Sequence, residues 1–162
     1  MAAAGETVRA AGAAEATRVA QVIRASFAEY RGVLEPPSGA LALDAAGARR
    51  LMTIGGFRVC ESEGRIVACV FHKTNDDNVY LGRLGVLPAV RGRGLGTLLV
   101  AEVEALAATV GRDRVRLGVR LVLPRNRAFF EALGYREVGL GSHPGMTVPT
   151  FAWLEKRIGS GL

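Results

Sequence analysis

One run of this sequence restricts the fold more than any other: Leu84-Gly85-Val86-Leu87-Pro88-Ala89-Val90-Arg91-Gly92-Arg93-Gly94-Leu95-Gly96-Thr97-Leu98-Leu99. An apolar, strand-like stretch ends at a proline, bends through alternating arginine and glycine, and feeds a long helical pattern. The start of a helix leaves about four backbone N–H groups without an internal partner. It also carries roughly half a positive charge from the aligned peptide dipoles. Glycines let the backbone approach an anion with no Cβ in the way, and Arg91 and Arg93 add charge at the same place. The run reads as a cradle for a phosphate or pyrophosphate. A Walker loop would need Gly-Lys-Ser/Thr, which is absent. Gly92, Gly94 and Gly96 have the spacing Gly-x-Gly-x-Gly, not the Gly-x-Gly-x-x-Gly of a dinucleotide fingerprint, and the run follows several strands instead of the first one.

The rest of the chain supplies a sheet for this helix to pack on. Residues 7–10 can form a short first strand. A helical pattern covers about 13–30, where Val19, Val22, Ile23, Phe27 and Tyr30 recur at steps of three and four and form one apolar stripe. Pro36-Pro37-Ser38-Gly39 breaks it. A second helix spans about 44–52 and ends at Gly55-Gly56. Residues 57–61 and 65–73 read as a hairpin turned at Ser62-Glu63-Gly64, and 79–87 as a further strand. The long helix covers about 94–110, with Leu99, Val103, Leu106 and Val110 as its inner stripe and Gly111 as its stop. Val115, Leu117, Val119 and Leu121 alternate with polar residues, as in a half-buried strand. A short helix over about 126–133 and strands over 135–140 and 147–157 complete the order. This is an α/β (α+β) pattern: a mixed, mostly antiparallel twisted sheet of about six to seven strands flanked by about four helices. One domain over 1–162 is expected, with loose ends at about 1–6 and 158–162.

Composition narrows the class. Half of the residues are apolar and 22% are charged, enough for one core and unlike a disordered chain. No stretch reaches the ~18–20 apolar residues of a membrane span, and the Ala-rich start lacks a secretion signal's basic region, so a cytoplasmic protein without a membrane partner is expected. Cys60 and Cys69 sit in apolar runs without a His/Cys cluster around them, so they read as core residues and no metal site is expected. The net charge is +6, and all the basic residues but Lys73 and Lys156 are arginine. Arginine forks onto phosphates. Charge alone does not separate a nucleotide-like cofactor from nucleic acid.

Arg91-Gly92-Arg93-Gly94-Leu95-Gly96 matches the Gln/Arg-x-x-Gly-x-Gly/Ala signature of the GNAT acetyltransferase superfamily. Leu84-Gly85-Val86-Leu87-Pro88 resembles the fourth strand of that fold. Asn126-Arg127-Ala128-Phe129-Phe130-Glu131-Ala132-Leu133-Gly134-Tyr135 is similar to its last helix and the turn that follows. The resemblance implies a fold, a reaction and a set of residues. Acetyl-CoA would be the acyl donor and an amine the acceptor. The backbone of Arg91, Gly92, Arg93, Gly94, Leu95, Gly96 and Thr97 would hold the pyrophosphate of coenzyme A. Leu84, Gly85 and Val86 would pair with the pantetheine arm in a gap between the fourth and fifth strands. A backbone N–H near Val86 would polarise the thioester carbonyl, and Asn126 and Phe130 would touch the cofactor. A homodimer is a further expectation, and no nucleic-acid partner is.

The catalytic residues stay open. Relatives carry a tyrosine that protonates the leaving thiolate where this chain has Phe130, and a phenyl ring has no proton to donate. Tyr135 and water are substitutes. His143, Glu35 and His72 are candidates for the group that takes the proton of the attacking amine, and Glu35, in the loop that the resemblance assigns to acceptor recognition, is alternatively a binder of a cationic substrate. The missing tyrosine motivates an alternative: a catalytically weak acyl-CoA-binding sensor or regulatory module. The arginine excess motivates a nucleic-acid-binding module, which would need a stacking platform that is absent from the sequence.

Overall fold

The computed structural model describes residues 5–159. Of the expected loose ends, 1–4 and 160–162 lie outside them. Glu6 already belongs to a strand, and the Ile158 amide donates to the Asp113 carbonyl at 2.9 Å. The elements are β1 (Glu6–Ala10), α1 (Ala16–Phe27), α2 (Ala45–Ile54), β2 (Gly56–Ser62), β3 (Arg65–Thr74), β4 (Val79–Val86), α3 (Leu95–Thr109), β5 (Arg114–Arg120), α4 (Pro124–Ala132), β6 (Arg136–Gly141) and β7 (Phe151–Arg157). The strands form one sheet in the order β1-β2-β3-β4-β5-β7-β6. Every neighbouring pair is antiparallel except β4 and β5. The expected sheet and its four helices are therefore present. Among the described residues no helix is long and apolar enough to cross a membrane.

Local chemistry explains most boundaries. The first helical pattern is trimmed at both ends, because 3-10 turns at Ala13–Glu15 and Ala28–Tyr30 flank α1. Asp44 caps α2 by accepting the Gly47 amide at 2.7 Å. Glu63 and Gly64 have φ of 52° and 77°, the left-handed pair of a tight two-residue hairpin. Gly111 ends α3 with φ 75°, and the next amide, of Arg112, reaches back to the Ala107 carbonyl at 2.8 Å. Two expectations need correction. The inner stripe of α3 runs through Leu95, Leu99, Val103 and Ala107, while Val110 is exposed beyond the last turn. The last strand starts at Phe151, not at 147, because Pro149 cannot donate to a ladder and 143–150 form a loop.

The sheet separates two apolar layers. Leu99, Val103, Val115, Leu117, Tyr135 and Leu154 pack on the α3 side. Val19, Val22, Ile23, Phe57, Val59 and Phe71 pack on the α1–α2 side. Cys60 belongs to the first layer and Cys69 to the second, so a disulfide between them would have to cross the sheet. Both thiols are free, and burial pushes Cys69 up to about 12, which leaves it protonated and inert.

Candidate functional site

A cleft opens where the single parallel pair fails. β4 and β5 are registered only at Val79↔Val115 and Tyr80↔Arg116, and beyond these residues they separate. On its other side β4 stays paired with β3, but one extra residue enters between Gly82 and Gly85. Arg83 sits in this bulge with φ 49°, a left-handed conformation that costs a non-glycine residue on the order of 1–3 kcal/mol. The cleft measures about 1140 Å³. Leu84, Gly85 and Val86 line one wall, Gly118, Val119 and Arg120 the other, and the end of α1 and the start of α4 close the sides. Gly85 has a structural role that the sequence reading did not see. A Cβ there would lie 2.9 Å from the Ser26 Cβ, so its absence lets α1 settle onto β4.

The Arg-Gly turn borders this cleft. Gly92 and Gly94 have φ of 81° and 79°, and a Cβ at either would point into open space. The first amide of the α3 ladder is that of Leu98, which donates to the Gly94 carbonyl at 3.0 Å. The amides of residues 92–97 find no protein acceptor among the described residues. They are bare N–H groups on glycine-rich backbone at the positive end of a 15-residue helix. Gly96 differs: its Cβ would come within 3.4 Å of the Phe129 ring, so it allows close approach of α3 to α4.

Arg91 departs from the expectation. Its guanidinium donates to the Val86 carbonyl at 3.1 Å and the Ser26 carbonyl at 2.9 Å, and pairs with Glu29 at 2.7 Å. Its amide is directed at the Pro88 carbonyl at 3.3 Å. Arg91 thus clamps the turn to α1 and β4 and keeps no fork for a phosphate. Arg93 is exposed and in no ion pair among the described residues.

The remaining candidates separate cleanly. Asn126 and Phe130 line the cleft from α4, which starts two residues earlier than expected, with Pro124 in its first turn. His143 also lines it, with Nδ1 at 2.5 Å from the Thr150 hydroxyl and its ring edge-on to Phe151. Partial burial, and next the charge of Arg120, hold the His143 imidazole below its ordinary value. Tyr135 is not on the cleft. It is fully buried on the α3 side and donates to Glu104 at 2.9 Å, and burial pushes its hydroxyl far up. It is a core residue and supplies no proton to the cleft. Glu35 is exposed and does not line the cleft, although it lies near enough to Arg120 to act on its charge. His72 lies at the far end of β3 against Gly56, outside the cleft.

Several lining residues were missed. Tyr30, read only as part of an apolar stripe, reaches across from α1 so that its hydroxyl lies 3.4 Å from Asn126 Oδ1. Its recurrence with Phe27 was visible, but the 3-10 turn that swings it over α4 was not. Arg83, Arg120 and Trp153 also face the cleft. Among the described residues no three His, Cys, Asp or Glu converge on a metal position.

Known proteins share part of the sequence and the fold. The human N-acetylaspartate synthetase is 31% identical over 97 residues, which cover 57% of this chain and 32% of that protein. The matched segment thus spans about a third of that relative's length. Two solved structures share the fold at low identity. A PaiA N-acetyltransferase from Thermoplasma acidophilum, in complex with coenzyme A, superposes with a TM-score of 0.77 at 16% identity, over 94% of this chain and 99% of that one. The ribosomal-protein-S18-alanine N-acetyltransferase of Escherichia coli gives 0.74 at 15% identity, over 97% and 98%. The sequence matches the model of the acetyltransferase (GNAT) family over residues 20–135. This span holds the glycine turn, both walls of the cleft and the α4 segment, and with it the chain belongs to the GNAT acetyltransferase family.

Proposed function

We propose that the chain is an N-acetyltransferase that moves an acetyl group from acetyl-CoA to a primary amine. One observation carries this reading: a row of bare amides at the start of α3 adjoins an unpaired edge of β4. An anion held by 92–97 can extend a peptide-like arm along Leu84–Val86 as an added strand. The residues fit coenzyme A, which has a pyrophosphate followed by an arm of amides. Bound there, acetyl-CoA supplies the acyl carbon as a thioester.

The chain's own groups then do three things. A backbone N–H at Val86 polarises the carbonyl, an effect worth about 2.7–4 kcal/mol in a transition state where such donors have been removed. His143 takes the proton of the attacking amine. Its lowered basicity keeps the imidazole neutral at physiological pH, and Thr150, when it accepts from Nδ1–H, fixes the tautomer with Nε2 free. The C–N bond forms, the C–S bond breaks, and the departing thiolate takes a proton from Tyr30, the phenol that reaches α4 where Phe130 has none. Holding both reactants in line supplies much of the remaining acceleration.

Phe130 also favours a second reading, an acyl-CoA sensor without turnover. A thiol-release assay with saturating acetyl-CoA and a panel of primary amines separates the two. Release dependent on an amine supports the enzyme. Saturable binding of acetyl-CoA with no release from any amine supports the sensor.

A further inference from the structure

Two arginines, Arg83 and Arg120, line the cleft, and the one acid near enough to act on either is Glu35, beside Arg120 but outside the lining among the described residues. Arg83 and Arg120 stand on the two strands that separate, β4 and β5. Arg120 alternates with Val119, which packs toward α3, so its side chain lies on the α1–α2 face. Arg83 also borders a shallow depression over α2, which places it on the same face. Both guanidinia sit beneath one stretch of the α1–α2 connection. Arg120 Nη1 donates to the Pro36 carbonyl at 2.8 Å, and a Cβ on Gly39 would meet Arg83 Nη2 at 3.6 Å.

Neither arginine is in an ion pair among the described residues, whereas Arg116, the next arginine on the same face of β5, is matched by Glu155 at 3.2 Å. Among the described residues the only acid lining the cleft is Glu29, and Arg91 already holds it at 2.7 Å. Arg83 breaks two local rules at once. It occupies a left-handed backbone position, and its Nε is shielded from solvent with no acceptor. Arg58 shares the second feature but is not on the cleft. Unmatched buried donors and backbone strain are costly, and they gather where a ligand completes the site. A cationic acceptor would meet two unmatched guanidinia here, while an acidic one would neutralise them.

Resting on the acetyltransferase reading, the geometry points to an acceptor amine that carries at least one carboxylate, gripped by Arg83 and Arg120 on the side of the sheet away from α3. Arginine forks onto carboxylates through paired donors, which would fix the amine's direction as well as its identity.

The test compares L-aspartate and L-glutamate with their diesters and with spermidine, by thiol release at saturating acetyl-CoA. It is repeated with Arg83→Asn, which tolerates the left-handed backbone, and Arg120→Gln. The free acids are expected to be the preferred acceptors. Each variant is expected to raise their KM by roughly ten- to a hundredfold, with acetyl-CoA affinity by calorimetry within about twofold of the parent. Equal or better use of the esters or spermidine would overturn the inference. So would an unchanged KM in both variants, or acetyl-CoA binding with no turnover of any acid. Loss of acetyl-CoA binding in the parent protein would instead overturn the functional reading underneath it.

Discussion

At the scale of single residues, two side chains separate chemistry from packing. Phe130, where the family resemblance implies a tyrosine, is buried, edge-on to Phe129 and Tyr135 with centroids 5.0 and 5.7 Å away. Phe130→Ala is expected to lose roughly 3 kcal/mol of stability, read as a fall in denaturation midpoint, with turnover per folded molecule retained. Collapse of turnover at an unchanged midpoint would contradict this. His143 titrates below the ordinary imidazole value of about 6.5 because burial disfavours its cation and Arg120 opposes it. Its neutral form is therefore favoured by the fold. This contribution is present above pH ~6.5 and is lost as pH falls through the lower folded value. A plot of kcat/KM against pH should show an acid limb that inflects below 6.5. In His143→Asn that limb should vanish and the plateau fall by roughly 10²–10⁴. A limb that persists in the variant assigns the base elsewhere.

At the scale of elements, what the sequence made legible was local. The strand–glycine turn–helix run, the hairpin turn and the helix stops each follow from neighbouring residues, and all stand within a few positions of expectation. What stayed hidden depends on partners distant in sequence. Arg91 and Gly85 illustrate this. Both lie inside the best motif of the chain, yet the first is spent on α1 and the second makes room for Ser26. Tyr135 is a candidate proton donor in the sequence only because nothing there tells which face of the sheet it meets. Gly85→Val should overpack this contact. It is expected to cost roughly 1–3 kcal/mol, measured by chemical denaturation. A neutral result would mean that α1 rides higher on β4 than the 2.9 Å contact requires.

At the scale of the whole molecule, the cleft is a consequence of topology. Helix α3 carries the chain from β4 to β5, the one parallel pair, and two registered residue pairs are too few to keep the strands together. Arg83 and Arg120 are brought to one cleft only by that crossover, which is why no spacing in the sequence links them. The far edge of the sheet is held differently. Arg9 forks onto Glu15 at 2.7 Å through both terminal nitrogens and also meets Glu61, tying β1 to β2 and to the turn before α1. The Arg9 guanidinium, and then the Gly12 amide, lower the Glu15 carboxyl to about 2. Its folded value is below the unfolded one, so its contribution is present above pH ~4.5 and is lost as pH falls toward 2. Thermal melts from pH 7 to 3 should show a shallower acid decline in Glu15→Gln than in the parent. Parallel curves would show that this network does not tie the edge to stability.

The central claim is that bare amides at the turn into α3 hold the diphosphate of acetyl-CoA. Gly94 tests it with little disturbance, because its Cβ would enter open space and because Asn and Asp both tolerate its φ of 79°. Acetyl-CoA titrated into the parent protein, Gly94→Asn and Gly94→Asp should bind the parent with saturable heat, and the Asp variant at least roughly tenfold more weakly than the Asn variant, since only a carboxylate separates them. Equal affinities for the two variants, or no heat with the parent, would contradict the account.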